Sequence, residues 1–196
     1  KADRTFASAL RSILRQDPDI VMIGEIRDAE TASIAVQAAL TGHMVLSTLH
    51  TNDAPATIHR LCDMGIAPYL LGPALRCVVG QRLVPRICSS CAARTQPTPG
   101  ILDEFGLDPD ASYDCFRQGT GCANCRGRGK TGRVAIHEVL FVSPELASAI
   151  SRRAADDEIR ELAIAAGYRP LVKDGLEKAK QGLVTLEDVL TVARTE

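Results

Sequence analysis

Two stretches, DPDIVMIGEIRD at residues 17–28 and GHMVLSTLHTND at residues 42–53, decide how this 196-residue chain is read. Each sets a short apolar, β-branched run before a cluster of polar side chains. Runs of this length, 20–24 and 44–49, suit strands buried on both faces of a parallel sheet. Between them Asp28 is placed to cap a helix reaching about Leu40, with Gly42 as its C-terminal stop. Upstream, Phe6, Ala9, Leu10, Ile13 and Leu14 form the stripe of an amphipathic helix over 5–16, which Pro18 ends by forcing Asp17 out of the helical region. Downstream, Asp53 caps a further helix with Pro55 in its first turn and Gly65 beyond its end. Helix, strand, helix, strand, helix is the rhythm of an α/β sheet with crossover helices.

In such a sheet, ligands collect outside the carboxyl ends of the strands. The first strand delivers Glu25 there, and the second leads to Ser47, Thr48 and His50. A carboxylate at that edge can orient a water and accept its proton during phosphoryl transfer. A histidine beside it can contact a phosphate oxygen. The bland alternatives, a solvated carboxylate and structural histidines at 43 and 50, stay open on the residues alone. His59 and His137 have no comparable setting.

Composition narrows the classes. The chain is 45% hydrophobic and 24% charged, as soluble globular proteins are. Lys and Arg number 23 against 24 Asp and Glu, a net charge of −1 that argues against nonspecific DNA binding. Aromatics make up 4% and Trp is absent, which disfavours stacking platforms for single-stranded nucleic acid. No apolar run approaches the ~20 residues that cross a bilayer, and KADRTFASAL has no signal-peptide core. The chain reads as soluble and cytoplasmic.

Seven cysteines without a secretory signal point to metal or thiol chemistry before disulfides. Four form two pairs, Cys88-Ser-Ser-Cys91 and Cys122-Ala-Asn-Cys125. A two-residue gap lets both thiolates of a knuckle face one tetrahedral zinc, and four Cys leave no open coordination position, so the metal is expected to be structural. The intervening stretch, 92–121, is longer than the ~15–20 residues of a compact zinc ribbon. A redox pair and unliganded thiols are the alternatives. Cys115 reads as a loop thiol, and Cys62 and Cys77 as small core residues in helical patterns. Beside the second knuckle, Gly127-Arg-Gly-Lys-Thr-Gly132 fits a dinucleotide fingerprint and ends like a P-loop. Both readings fail on context: it follows a knuckle, runs into a β-like segment, and has Asn124 where the P-loop needs Gly. A basic turn of Arg126, Arg128, Lys130 and Arg133 remains, suited to an acidic partner.

The segment from 85 to 133 is rich in Gly, Pro, Cys and Arg with little periodicity, and residues 134–140 look like a strand. Helices are expected to start at Ser143-Pro144, at Asp156 or Asp157, over 170–181, and after the capping box Thr185 to Asp188. Three parts follow: 1–84, 85–133 and 134–196.

The run from Leu10 to Asp53 resembles the Walker B and His-box region of secretion ATPases, the hexameric motors of type II secretion and type IV pilus assembly. The similarity continues through DMGIAPYLL (63–71), the tetracysteine element, TGRVAIHEVL (131–140) and the tail at 167–190. The tetracysteine element favours secretion and pilus-extension members over retraction members. The resemblance implies an α/β fold, the C-terminal half of a RecA-like P-loop ATPase domain with a tetracysteine zinc subdomain and a helical C-terminal region. It makes Glu25 the general base, places His50 near the γ-phosphate, assigns Arg27 and Asp28 to the end of Walker B and His43 to the His box, and makes Arg133 a nucleotide or subunit contact. Cys88, Cys91, Cys122 and Cys125 match the zinc ligands. Gly24 stands where many P-loop ATPases have Asp, as in this family, so magnesium leans on groups elsewhere. The implied cofactors are ATP and Mg2+ in the intact protein and structural Zn2+. The implied partners are five further copies in a homo-hexamer and an inner-membrane platform protein. The place is the cytoplasmic face of the bacterial inner membrane, without direct membrane insertion and without nucleic acid. The family's P-loop, arginine fingers and N-terminal domain lie upstream of Walker B and are not among these residues, so the chain by itself is expected to hydrolyse no ATP. The rival reading is a zinc-stabilised protein-binding module without catalysis.

Overall fold

The computed structural model describes residues 6–193. In chain order the elements are α1 (Phe6–Leu14), β1 (Ile20–Ile23), α2 (Ala29–Leu40), β2 (Met44–Ser47), α3 (Ala56–Asp63), α4 (Pro68–Ala74), β3 (Cys77–Ile87), β4 (Ala92–Arg94), α5 (Pro99–Glu104), β5 (Arg117–Gly119), β6 (Lys130–Phe141), α6 (Pro144–Ser151), α7 (Asp156–Ala165), α8 (Leu171–Lys180) and α9 (Leu186–Ala193). Contacts group them into two compact units. One runs up to Val78 and resumes over Leu140–Tyr168; the other takes Val79–Val139 and the chain from Arg169 on.

In the first unit β1 and β2 pair in parallel, Ile20 opposite Met44 and Ile23 opposite Ser47. The crossover between them is α2. Its N-cap is Asp28, whose carboxylate accepts from the Thr31 N–H at 2.8 Å and the Thr31 hydroxyl at 2.9 Å. Helix α2 buries Ala32, Ile34, Ala35, Val36 and Ala38. Val21 and Ile23 are buried in the same apolar cluster. The expectation of strands buried on both faces does not hold. Ile20 and Met22 are 65% and 80% exposed, and across the register Met44 and Leu46 are 53% and 46% exposed. Side chains alternate along a strand, so these four share the sheet's uncovered face.

Helix α1 forms as expected, but its inward face is Ala7 and Leu10, while Phe6 and Ile13 are exposed. Arg11 reaches Glu30 of α2 at 2.8 Å, which orients the helix. Later in the unit Gly72 of α4 lies against Ala147 and Ser151 of α6, and a Cβ there meets the Ala147 carbonyl oxygen.

The second unit holds β3 next to β6, and β4 antiparallel to β5 with Ala92 opposite Gly119. Its core is Val84, Leu102, Phe105, Phe116, Ile136, Leu171, Leu176, Val184, Leu186 and Val189. Strand β6 and helix α8 exchange hydrogen bonds in both directions. The His137 N–H donates to Asp174 Oδ2 at 2.7 Å, and the Leu171 N–H donates to buried Glu138 Oε2 at 3.1 Å. Since the N-cap of α8 is Pro170, which offers no side-chain acceptor, Glu138 satisfies a helix N-terminus from another element. Strand β3 and helix α5 were not read from the sequence, and Cys77, expected in a helical core position, opens β3 and is exposed. Half of the expected capping box forms at Thr185: the Asp188 N–H donates to Thr185 Oγ1 at 3.2 Å, while the Asp188 carboxylate accepts at 2.8 Å from the Thr185 hydroxyl rather than from its backbone N–H.

Candidate functional site

Because β1 and β2 are parallel, their carboxyl ends finish at one edge, and the loops leaving them carry Glu25 and His50. The two side chains meet there: His50 Nε2 lies 3.4 Å from Glu25 Oε2. Arg27 Nε approaches the same oxygen at 2.7 Å. All three are open to solvent to different degrees, Glu25 least at 35% side-chain exposure and His50 most at 85%. The Arg27 hydrogen bond, helped by its charge and by His50, holds the Glu25 carboxyl below its ordinary range against an opposing push from partial burial. A solvent-facing carboxylate flanked by a cationic guanidinium and an imidazole can accept a proton from water and meet an anionic ligand.

Around this edge the backbone is pinned. Thr48, directly after β2, donates its hydroxyl to the Gly24 carbonyl at 2.7 Å, and its own carbonyl accepts from the Ile26 N–H at 3.0 Å. Past His50, Asp53 spends one carboxylate oxygen on the Ala56 N–H at 2.7 Å and the other on Arg160 of α7 at 2.7 Å. A second tie from α3 to α7 joins His59 Nε2 to Asp156 Oδ1 at 2.8 Å. The sequence placed Thr48 at this polar edge but not its bond to Gly24, since a hydroxyl bonding a backbone carbonyl leaves no pattern; Arg160, 107 positions from its partner, was not singled out.

The remaining sequence candidates are His43, Asp28 and Arg133. His43 precedes β2 and so stands at the opposite end of the strand from the loop that carries His50. Its Nδ1 is 3.1 Å from the Ala38 carbonyl oxygen and 3.1 Å from Thr41 Oγ1, the position of a helix C-terminal cap. Asp28 has both carboxylate oxygens committed to Thr31, and those bonds lower its pKa. Arg133 is exposed on β6 in the second unit.

The second constellation is Cys88, Cys91, Cys122 and Cys125, whose sulfurs all lie within 4.8 Å of one another. Cys88 to Cys122 is 3.8 Å, Cys91 to Cys125 is 3.9 Å and Cys122 to Cys125 is 3.7 Å. A tetrahedron of thiolates at a zinc–sulfur distance of ~2.3 Å has edges of ~3.8 Å, so the sulfurs fit that ion. Backbone N–H groups aim at them: Gly121 at Cys91 (3.3 Å), and both Cys122 and Gly129 at Cys125 (3.1 Å each). Burial raises the Cys91 thiol to about 11. Burial acts the same way on Cys125, but the two backbone donors and its sulfur neighbours outweigh it and bring that thiol to about 6.

The glycines beside the knuckle have a structural explanation. Gly129 has φ +70 and its backbone touches that of Gly119, where a Cβ on either would strike the other's carbonyl. The stretch that matches a dinucleotide fingerprint is thus the wrap of a cysteine knuckle against β5.

A protein-family model described as "Type II/IV secretion system protein" matches residues 1–191. The type IV pilus assembly ATPase PilB of Thermus thermophilus is 51% identical over 197 residues, covering 100% of this chain and 22% of that protein. The type II secretion system protein E of Pectobacterium carotovorum is 45% identical over 197 residues, covering 100% of this chain and 39% of that protein. Among solved structures, the pilus retraction motor PilT with bound ADP superposes with a TM-score of 0.68 at 28% identity, covering 98% of this chain and 44% of that one. The ATPase DotB of Legionella pneumophila gives a TM-score of 0.64 at 25% identity over 95% of this chain and 42% of that one. The chain therefore spans less than half the length of these relatives.

Proposed function

Since the chain belongs to the Type II/IV secretion system protein family, we propose that it is the Walker B and His-box part of an ATP-hydrolysing motor for type II secretion or type IV pilus assembly. The observation that carries this is the meeting of Glu25 and His50 at the shared carboxyl edge of two parallel strands, 3.4 Å apart and open to solvent. Water attacks the γ-phosphorus, its proton passes to the Glu25 carboxylate, and ADP leaves with the bridging oxygen. His50 faces the γ-phosphate, and Arg27 offers a cation beside it. Mg2+ neutralises phosphate charge when bound; Asp28, spent on α2, is not one of its ligands. His43 and Arg133 are assigned nucleotide or subunit contacts by resemblance alone.

The motor works as a homo-hexamer on the cytoplasmic face of the inner membrane, coupled to a platform protein there. Among the described residues no helix is long and apolar enough to cross a membrane. Cys88, Cys91, Cys122 and Cys125 hold a structural Zn2+, supported by three sulfur–sulfur spacings of 3.7–3.9 Å with all four sulfurs within 4.8 Å. The exposed apolar face of β1 and β2 supports burial against further chain, as parallel sheets are covered on both faces. Most phosphate binding in this class comes from P-loop backbone N–H groups, and these 196 residues include no GxxxxGK[ST] run. ATP hydrolysis is therefore assayed on this chain alone and joined to a P-loop segment of its family. No turnover above a Glu25→Gln control is expected for the chain alone, and turnover for the joined protein. A chain that hydrolyses ATP by itself, or a joined protein that does not, contradicts the reading.

A further inference from the structure

We propose that Thr48 is the positioning residue of the hydrolytic edge, clamping the turn that carries Glu25 to the strand end that carries His50. This rests on the reading of Glu25 and His50 as the hydrolytic pair. The register of β1 with β2 ends at Ile23 and Ser47. Beyond it nothing in a sheet ladder requires the two loops to stay together, yet Glu25 and His50 meet there. Thr48 spans the gap. Its hydroxyl donates to the Gly24 carbonyl at 2.7 Å and its carbonyl accepts from the Ile26 N–H at 3.0 Å, so the residues on either side of Glu25 are both tied to one residue. His50 follows two positions later on the same segment. The distance between carboxylate and imidazole is therefore set through Thr48 and one intervening residue.

The residue type suits the task. A β-branched side chain is restricted at χ1, which narrows the directions the hydroxyl can take. Valine has the same shape without the donor, whereas serine keeps the donor without the methyl. Both of these Thr48 bonds are to backbone groups flanking Glu25, so it acts through Glu25 and His50. Misplacement of a reacting group by ~1 Å can cost ~100-fold in rate.

The test compares Thr48→Val, Thr48→Ser and Glu25→Gln in the chain joined to its P-loop segment. Expected is a fall in kcat of about 10- to 100-fold for Thr48→Val with KM for ATP within about threefold, and recovery to within about threefold of wild type for Thr48→Ser. In the 196-residue chain, the nuclear Overhauser contact between the His50 ring and the Glu25 γ-methylene should weaken in Thr48→Val and persist in Thr48→Ser. A purely structural role would lower the melting temperature of Thr48→Val without moving that contact. Thr48→Ala serves the same comparison if the valine variant does not fold. Wild-type kcat and an intact contact in the valine or alanine variant overturn the proposal while Glu25→Gln remains inactive. If Glu25→Gln itself keeps turnover, it is the hydrolytic reading that falls.

Discussion

At the scale of the residue, Glu25 gathers two partners on one oxygen, and the sign of their effect is testable. Arg27 and His50 favour the charged carboxylate, so its pKa in the folded protein lies below that of an unfolded glutamate. The stabilisation this provides is present above the unfolded value and is lost as pH falls through the folded one. Removing the first-named partner reverses it: in Arg27→Ala the Glu25 carboxyl, followed by carbon-13 NMR, is expected to titrate nearer the ordinary glutamate range. An unchanged titration would show that Arg27 does not govern it. Glu25 and His50 could be picked out in the sequence because each follows a short apolar run, and parallel strands bring such positions to one edge. His43 shares the motif but stands before its strand, so strand direction separates it from His50. Thr48 was legible only as one polar group of that edge, because its partner is a backbone carbonyl 24 positions away.

Elements were legible where local chemistry decides them. Asp28, Ser143 and Thr185 were all expected at helix starts, and each side chain accepts from an N–H of its own first turn. Replacing Ser143 by Ala, whose hydroxyl accepts from the Leu146 N–H at 3.2 Å, should cost about 1 kcal/mol in urea unfolding. No change in midpoint would mean that α6 does not depend on its cap. Strand β3 was missed because Gly80 and Pro85 interrupt its apolar pattern. Gly80 is there for a neighbour: a Cβ at that position would lie 2.6 Å from Glu138 Oε1 of β6. The inward face of α1 was legible only in part: Leu10 lies on it as the stripe implies, but Ala7 joins it while Phe6 and Ile13 are exposed. Close approach also governs α4 against α6. A Cβ at Gly72 meets a backbone carbonyl of α6, which cannot rotate aside, so Gly72→Ala should destabilise by about 1–3 kcal/mol. Unfolding at the wild-type denaturant midpoint would contradict that packing.

At the scale of the whole molecule, the contacts cut across the linear order. Composition suggested three successive parts, whereas the chain returns to each of two units. The reason lies in long-range cover: Leu171, Leu176 and Val189 from the C-terminal helices fill the core around Val84 and Ile136. Pattern reading cannot supply such pairings. The cysteine knuckles, by contrast, were plain from spacing alone, and their four sulfurs lie within 4.8 Å of one another. Metal analysis should find about one zinc per chain, falling on Cys88→Ser/Cys122→Ser substitution, and chelation should loosen the segment between Cys88 and Gly129. A chain free of metal with that segment equally ordered would leave the cluster as unliganded thiols. All of this surrounds the central chemical claim, that Glu25 takes the proton of the attacking water. The most direct measurement is single-turnover ATP hydrolysis by Glu25→Gln in the chain joined to its P-loop segment, with nucleotide affinity measured in parallel. The chemical step is expected to slow by at least ~100-fold, within the range general-base catalysis supplies, while ATP still binds within about threefold of wild type. Hydrolysis at the wild-type rate would remove Glu25 from the reaction and the proposed site with it.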